Sequence, residues 1–271
     1  MSLAAGLLIA LASAAALNSG FYLQHAASGG LPVLSVRRPL AALAALFACR
    51  RWLTGFLTGI SGWALYIVAL DLAPLNLVQA VSAGGVGLLA VLVRVGGTRL
   101  SVSDRAGVAA AVGGLVLLAL SLPAGGGHSS VAGWGVALGW ILASGLAAAV
   151  CVGPAGTALR LRPGSGLAAA AGLLYAAGDV ATKAAVGGTR PVVVFALFVP
   201  VCSGLAFGCL QLSFQRGSAL PTAGVSTLLT NLLPIIAGLT VFAEPMPGGL
   251  AGVLRAAGFA GVLLGATLLA R

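Results

Sequence analysis

The chain has 271 residues, of which 60% are hydrophobic and 7% are charged, with a formal net charge of +10. Soluble domains carry about 25% charged residues, so this composition excludes a water-soluble globule. The basic residues stand singly or in pairs at the ends of apolar runs, where they orient helices in a membrane instead of binding nucleic acid. We therefore expect an all-α integral membrane protein with no nucleic-acid partner.

Ten apolar runs of membrane-spanning length follow one another along the chain, bounded by arginine, proline or glycine-rich breaks. Strands of a lipid-facing barrel would alternate apolar and polar residues, whereas these runs are apolar on all sides. The pattern predicts about ten transmembrane helices, at 3–24, 31–49, 52–71, 75–94, 104–122, 131–153, 165–185, 191–212, 219–242 and 248–270.

The arginines and lysines predict how these helices are oriented. With a cytoplasmic N-terminus, nine of the 14 basic residues fall in inside connections, and of the others only Arg190 lies clearly in an outside loop. We therefore expect a multi-pass protein of the cytoplasmic (plasma) membrane with both termini cytoplasmic. The nine inside residues are Arg50, Arg51, Arg94, Arg99, Arg105, Arg160, Arg162, Arg216 and Arg271.

The predicted helices form two halves. The Gly-rich linker 123–130 separates residues 1–122 from residues 131–271, and each half holds five helices. When the first half is shifted by 144 positions, the segment that begins at Asp71 aligns weakly with the segment that begins at Gln215. Because five is odd, the halves cross the membrane in opposite senses. This predicts two inverted five-helix repeats, an architecture that indicates alternating access.

Pairs of glycines spaced four residues apart recur in the predicted helices. This spacing lets helix backbones approach closely in lipid, so we expect a tightly packed bundle. The pairs are Gly55 and Gly59, Gly135 and Gly139, Gly248 and Gly252, and Gly261 and Gly265.

Three stretches carry a family resemblance: Val36-Arg-Arg-Pro-Leu-Ala-Ala-Leu43, Ala69-Leu-Asp-Leu-Ala-Pro74 and Phe242-Ala-Glu-Pro245. With them the chain resembles the ten-helix, EamA-like branch of the drug/metabolite transporter superfamily. Asn18-Ser-Gly-Phe-Tyr-Leu-Gln24 and Gly178-Asp-Val-Ala-Thr-Lys183 are also similar to the subgroup related to NIPA magnesium transporters. The resemblance implies a secondary active transporter that moves a small organic metabolite or drug-like solute by alternating access, with protons as a candidate coupling ion.

Polar side chains at membrane depth are costly and usually face a cavity or a bundle interior, so they indicate the candidate site. Asn18, Tyr22 and His25 share one face of helix 1, and form either a cavity wall or interhelical hydrogen bonds with His25 at the headgroups. Arg37 and Arg38 come six or seven residues into helix 2. There one of them can extend to the headgroups while the other turns inward toward an anionic group or a helix end, so we expect at least one to line the pathway.

A second polar stripe lies on helix 7, where Tyr175, Asp179 and Lys183 follow one another at intervals of four residues. Asp179 and Lys183 can pair, which would make them structural. Asp179 is also the one carboxylate clearly within a predicted helix, so it is the candidate for coupling protons. Asn231, three residues before Pro234, either caps carbonyls freed by the proline or faces the cavity. Weaker pathway candidates are Tyr66, Gln79, Gln211 and Gln215.

The sequence lacks the motifs of several other chemistries. It contains no P-loop, HExxH motif or Gly-x-Ser-x-Gly elbow, and its two histidines and four scattered cysteines predict no metal site. We expect no enzyme activity and no cofactor. The expected partners are a small-molecule solute and the lipid bilayer, and the protein is expected to be a monomer or a homodimer.

Two alternatives to organic-solute transport stay open, namely a NIPA-like transporter of magnesium or another divalent cation, and a non-transporting structural membrane protein. Magnesium is usually held through carboxylates and retained waters. Asp179 beside Lys183 is a poor carboxylate supply, and Arg37 and Arg38 would repel a dication. An organic solute therefore fits the predicted pathway better.

Overall fold

The computed structural model describes residues 3–32, 39–72, 75–121, 133–153, 161–186, 188–243 and 248–270. Regular structure within these ranges is α-helical throughout, which confirms the predicted all-helical architecture. Alanine and leucine, two strong helix formers, dominate the helices. The described helices are α1 Leu3–Ser28, α2 Pro39–Ala48, α3 Arg50–Leu72, α4 Leu75–Val95, α5 Val102–Leu120, α6 Trp134–Val152, α7 Ser165–Val186, α8 Val192–Arg216, α9 Ala219–Thr240 and α10 Gly249–Ala270.

Five of the described helices, α1, α6, α8, α9 and α10, are long and apolar enough to cross a membrane. Their outward faces carry large apolar side chains: Leu197 and Leu205 of α8 are 62% and 56% exposed, and Leu146 of α6 is 69% exposed. Apolar surface of this kind is unfavourable in water and matches the hydrocarbon of a bilayer. The helices are therefore compatible with a multi-pass membrane protein.

Glycines bring α1 and α3 into close antiparallel contact. A Cβ atom on Gly20 would lie 2.7 Å from the carbonyl oxygen of Gly55, and one on Gly55 would lie 2.8 Å from the backbone nitrogen of Gln24. Further along the pair, the Ser13 hydroxyl donates a hydrogen bond to the carbonyl of Gly62 at 2.7 Å. The two backbones can approach this closely only because a side chain is missing at each crossing point.

The pair α5 and α10 packs in the same way. A Cβ atom on Gly114 would lie 2.5 Å from the backbone nitrogen of Val262, whereas one on the adjacent Gly113 would meet nothing within 4 Å. At one end of the pair the Ser103 hydroxyl donates to the carbonyl of Leu268. At the other end the buried guanidinium of Arg255 donates to the side chain and backbone oxygens of Ser121, both at 3.2 Å.

Two of the four predicted glycine pairs are therefore found at helix contacts, Gly55 with Gly59 in α3 and Gly261 with Gly265 in α10. Gly135 and Gly139 of α6 differ, because a Cβ atom on either would meet nothing within 4 Å. The spacing alone identifies helices that could pack closely, and the neighbouring helix decides which of them do.

The connection from α1 to α3 differs from the predicted topology. Gln24 near the end of α1 and Trp52 near the start of α3 both hydrogen-bond to Gln211, so α1 ends and α3 begins at the same end of the bundle. Helix 2 is predicted at 31–49, and its described helical part, α2, has 10 residues. Because α1 ends and α3 begins at the same end of the bundle, the connection between them makes no net crossing of the bundle.

The same end of the bundle collects most of the described arginines, and we call it the arginine end. There α1, α4, α6, α8 and α10 end, and α3, α5, α7 and α9 begin. The backbone nitrogen of Arg162 donates to the carbonyl of Ala270, and its guanidinium forms an ion pair with Asp104 at the start of α5. Its described arginines are Arg50, Arg51, Arg94, Arg99, Arg105, Arg162 and Arg216.

At the opposite end lie Lys183, Arg190 and Arg255. The start of α1 is also at this opposite end, whereas α10 finishes at the arginine end. The expectation that both termini are cytoplasmic stays a prediction.

Helix pairing is similar in the two halves. α1 packs along α3 and α4, and α7 packs along α8 and α9. α4 contacts α5, and α9 contacts α10. α6 packs on α7, and no described helix occupies the corresponding place beside α1. Several predicted features lie outside the described residues, namely Arg37, Arg38, the linker 123–130 and Glu244.

Candidate functional site

A cavity of about 190 Å³ lies between α1 and α3 on one side and α7 and α8 on the other. Its wall combines aromatic and aliphatic side chains with two amides and a phenol. This mixture of an apolar wall and a few polar groups is typical of small-molecule sites. The lining residues are Leu17, Phe21, Gln24, Phe56, Gly59, Ile60, Trp63, Tyr175, Phe207, Leu210 and Gln211.

A buried chain of hydrogen bonds crosses the cavity at the arginine end. The indole nitrogen of Trp52 donates to Oε1 of Gln211 at 2.8 Å, and Nε2 of Gln211 donates to Oε1 of Gln24 at 2.9 Å. All three side chains are buried. The chain links α3, α8 and α1, and hydrogen bonds of this kind are strong where water is excluded.

Aromatic rings pack around these hydrogen bonds and help to close the cavity. The rings of Trp52 and Phe56 stack with centroids 5.1 Å apart, and Phe207 of α8 lies edge-on to both, at 6.2 and 6.1 Å. Nearer the surface, Nε2 of His25 donates to the carbonyl of Gly217 at 2.8 Å. The cavity is therefore closed at the arginine end by contacts between α1, α3 and α8.

Two residues farther from the arginine end are exposed. Trp63, which lines the cavity, is 61% exposed, and Asp179 is exposed one turn beyond Tyr175 on α7. Tyr66 of α3 lies within electrostatic reach of the Asp179 carboxylate. Asp179 and Tyr66 thus lie farther from the arginine end than the cavity does, on two helices, α7 and α3, that belong to different halves of the chain.

The predicted pairing of Asp179 with Lys183 is not found. Among the described residues, Arg162 and Asp104 form the ion pair, whereas the ammonium of Lys183 lies 4.4 Å from the centroid of the Phe242 ring. The spacing of four residues permits the pair, but Lys183 turns toward the end of α9.

The other predicted site residues divide between the cavity and the helix interfaces. Tyr175 lines the cavity, as predicted. Asn18 and Tyr22 instead face α4, where Nδ2 of Asn18 packs against Gly85 and the Tyr22 hydroxyl against Gly96. The Asn18 amide also donates to the carbonyl of Ala14 in its own helix, at 2.8 Å.

Asn231 is satisfied within α9, because Nδ2 donates to the carbonyl of Thr227 at 2.8 Å. This carbonyl is not the one that Pro234 frees, since the freed group belongs to residue 230, four positions before the proline. The amide therefore neither lines the cavity nor caps the proline site.

Two residues of the cavity wall are not among the main site candidates that the sequence predicts. Gln211 ranks among the weaker candidates, and Gln24 appears only within a family-like stretch, yet both line the cavity and take part in its closure. The usable signal was the presence of uncharged amides in apolar helices, where each one needs a hydrogen-bonding partner.

Within the described part of the chain, no group of three or more His, Cys, Asp or Glu side chains is placed to hold a metal ion. The cavity wall likewise presents no carboxylate among its lining residues. No family model matches the chain, and neither a curated protein nor a solved structure matches it.

Proposed function

We propose that the protein is a secondary transporter that moves a small organic solute across the cytoplasmic membrane by alternating access, in the manner of the drug/metabolite transporters that its sequence resembles. The cavity between α1, α3, α7 and α8 carries the proposal. It lies between helices of the two halves and is closed at the arginine end by the bonds from Trp52 to Gln211 and from Gln211 to Gln24, as the binding site of one of two alternating conformations would be.

The helix pairing supports an inverted arrangement of the two halves. α1, α3, α4 and α5 contact one another as α7, α8, α9 and α10 do, and each helix of the first set runs opposite to its counterpart. The sequence shift of 144 positions likewise relates α3 to α8 and α4 to α9. In this arrangement α2 is an extra short helix and α6 has no counterpart, so the proposed repeat is four helices long.

The cavity wall favours an organic solute over magnesium. Aromatic rings of Phe21, Phe56 and Phe207 suit an apolar or aromatic body, and the amides of Gln24 and Gln211 suit a hydrogen-bonding group. Magnesium requires closely spaced oxygen ligands and prefers carboxylates. The described cavity residues include none, so we place the divalent-cation function second.

Filling the cavity tests the proposal. Gly59 lines the cavity, and a Cβ atom there would meet only Nε2 of Gln24, at 3.8 Å, so Gly59→Leu should occupy the site without breaking a helix contact. Gly139→Leu is the matched control, because Gly139 lies exposed on α6 with nothing within 4 Å. We expect Gly59→Leu to lose ligand binding and transport at least tenfold, about 1.4 kcal/mol, and Gly139→Leu to keep both.

The measurement begins with a thermal-shift screen of the purified protein against metabolites, lipophilic cations and Mg²⁺, since a ligand of the native state raises its apparent stability. Hits are then tested for flux in liposomes. Flux of Mg²⁺ without flux of any organic hit would support the NIPA-like alternative. Equal flux in the two glycine variants would remove the cavity from the pathway, and an absence of both binding and flux would support a structural role.

A further inference from the structure

The connection between α4 and α5, at the arginine end, surrounds a second cavity of about 400 Å³. It is lined by Arg94, Gly97, Thr98, Arg99, Leu100 and Arg105. Three of its six lining residues are therefore arginines, and no acidic residue lines it. This cavity shares no lining residue with the one between α1, α3, α7 and α8.

The three guanidinium groups are not balanced by carboxylates. Within the described ranges, no hydrogen bond or ion pair joins the guanidinium group of Arg94, Arg99 or Arg105 to another residue. The nearest acid in the sequence, Asp104, accepts hydrogen bonds from Arg162 and from the backbone nitrogen of Ser101. Like charges gathered around one cavity repel each other, so an anion bound between them would lower the free energy of the protein.

The loop that presents these arginines is held in place at both sides. α4 ends in a Schellman turn, in which Gly97 adopts φ +92° and Thr98 donates to the carbonyl of Val93. α5 begins with a reciprocal cap between Ser101 and Asp104. Between them, Leu100 packs on the main core cluster. The arginines therefore extend from a fixed backbone. A Cβ atom on Gly97 would meet nothing within 4 Å, so this side of the cavity is open.

We propose that this cavity binds a phosphate group, with Arg94, Arg99 and Arg105 as its ligands. Arginine presents its donors in a planar fork that matches two phosphate oxygens, which makes phosphate a better partner than a small halide. The phosphate belongs either to an anionic lipid headgroup or to a free phosphate compound. The position at the arginine end favours the lipid, because basic residues at this depth meet the anionic cytoplasmic leaflet.

The test uses the full chain in lipid nanodiscs and reads its melting temperature and the lipid it retains in native mass spectrometry. One arm compares discs of phosphatidylcholine with discs that also contain phosphatidylglycerol, and a second adds inorganic phosphate to the phosphatidylcholine discs. The test variant is the triple Arg94→Gln, Arg99→Gln and Arg105→Gln. The matched control is Arg50→Gln with Arg51→Gln, at the same end but outside this cavity.

We expect phosphatidylglycerol to raise the melting temperature of the wild type and the control, and the triple variant to lose this rise. Arg99→Gln alone should weaken lipid retention about fivefold, which keeps the proposal testable if the triple variant folds poorly. A rise with inorganic phosphate that competes with the lipid would identify a free phosphate compound as the ligand. An unchanged lipid effect in both Arg99→Gln and the triple variant, or an equal loss in the control, would overturn the site.

Discussion

Asp179 is the residue whose surroundings bear most directly on energy coupling. It stands one turn beyond Tyr175, farther from the arginine end than the cavity, and is within electrostatic reach of Tyr66. It makes no ion pair with Lys183. A carboxylate that is exposed and not committed to a cation can exchange a proton during the transport cycle.

If Asp179 carries the coupling proton, Asp179→Asn should fold normally and exchange solute, but should lose uptake driven by a pH gradient, because an amide cannot titrate. Asp104→Asn is the control, since Asp104 is bound to Arg162 at the arginine end. We expect that variant to lower stability and to keep gradient-driven uptake. Full gradient-driven uptake in a folded Asp179→Asn protein would exclude this carboxylate from coupling.

At the level of residues, the sequence identified polar groups but not their partners. Tyr175, a phenol in an apolar helix, lines the cavity. The link between Trp52 and Gln211 spans 159 positions of the chain, and nothing in either local sequence predicts it. Asn18 and Tyr22 share one helix face, as the spacing predicts, but that face meets α4.

At the level of helices, glycines allow the closest contacts between backbones. Gly113 and Gly114 of α5 can be compared directly, because they are adjacent and only Gly114 faces α10. Gly114→Ala would place a Cβ atom 2.5 Å from the backbone of α10, so the helices must separate. We expect it to lower the free energy of unfolding by about 1–3 kcal/mol. Gly113→Ala meets nothing within 4 Å and should stabilise α5 by up to about 1 kcal/mol through helix propensity.

Both variants can be compared with the wild type by thermal or denaturant unfolding in the same detergent. Equal stability of Gly113→Ala and Gly114→Ala would contradict the close contact between α5 and α10.

The sequence predicted that glycine pairs permit such contacts but could not select α3 and α10 over α6. Helix 2 shows a similar limit, because its apolar composition suits a membrane span whereas the bonds of Trp52 and Gln24 to Gln211 place the end of α1 and the start of α3 at the same end of the bundle.

At the scale of the whole molecule, the described helices and the arginines together determine the proposed orientation. Apart from α2, each described helix runs from one end of the bundle to the other, so α1 begins at the end opposite to where α10 finishes. Seven described arginines lie at the arginine end, against Lys183, Arg190 and Arg255 at the opposite end. Arg255 is buried, and its guanidinium donates to the Ser121 hydroxyl. From the positive-inside rule we propose that the arginine end lies in the cytoplasm.

This orientation predicts that α1 begins outside the membrane and that α10 ends in the cytoplasm. In a variant with Cys49, Cys151, Cys202 and Cys209 replaced, a cysteine at Arg190 should react with a membrane-impermeant maleimide on intact cells. A cysteine at Arg51 should react only after permeabilisation, and a tag at the start of the chain should be accessible from outside. Cytoplasmic tags at both ends would contradict this orientation, which rests on the end of α1 and the start of α3 lying together through the bonds from Trp52 to Gln211 and from Gln211 to Gln24.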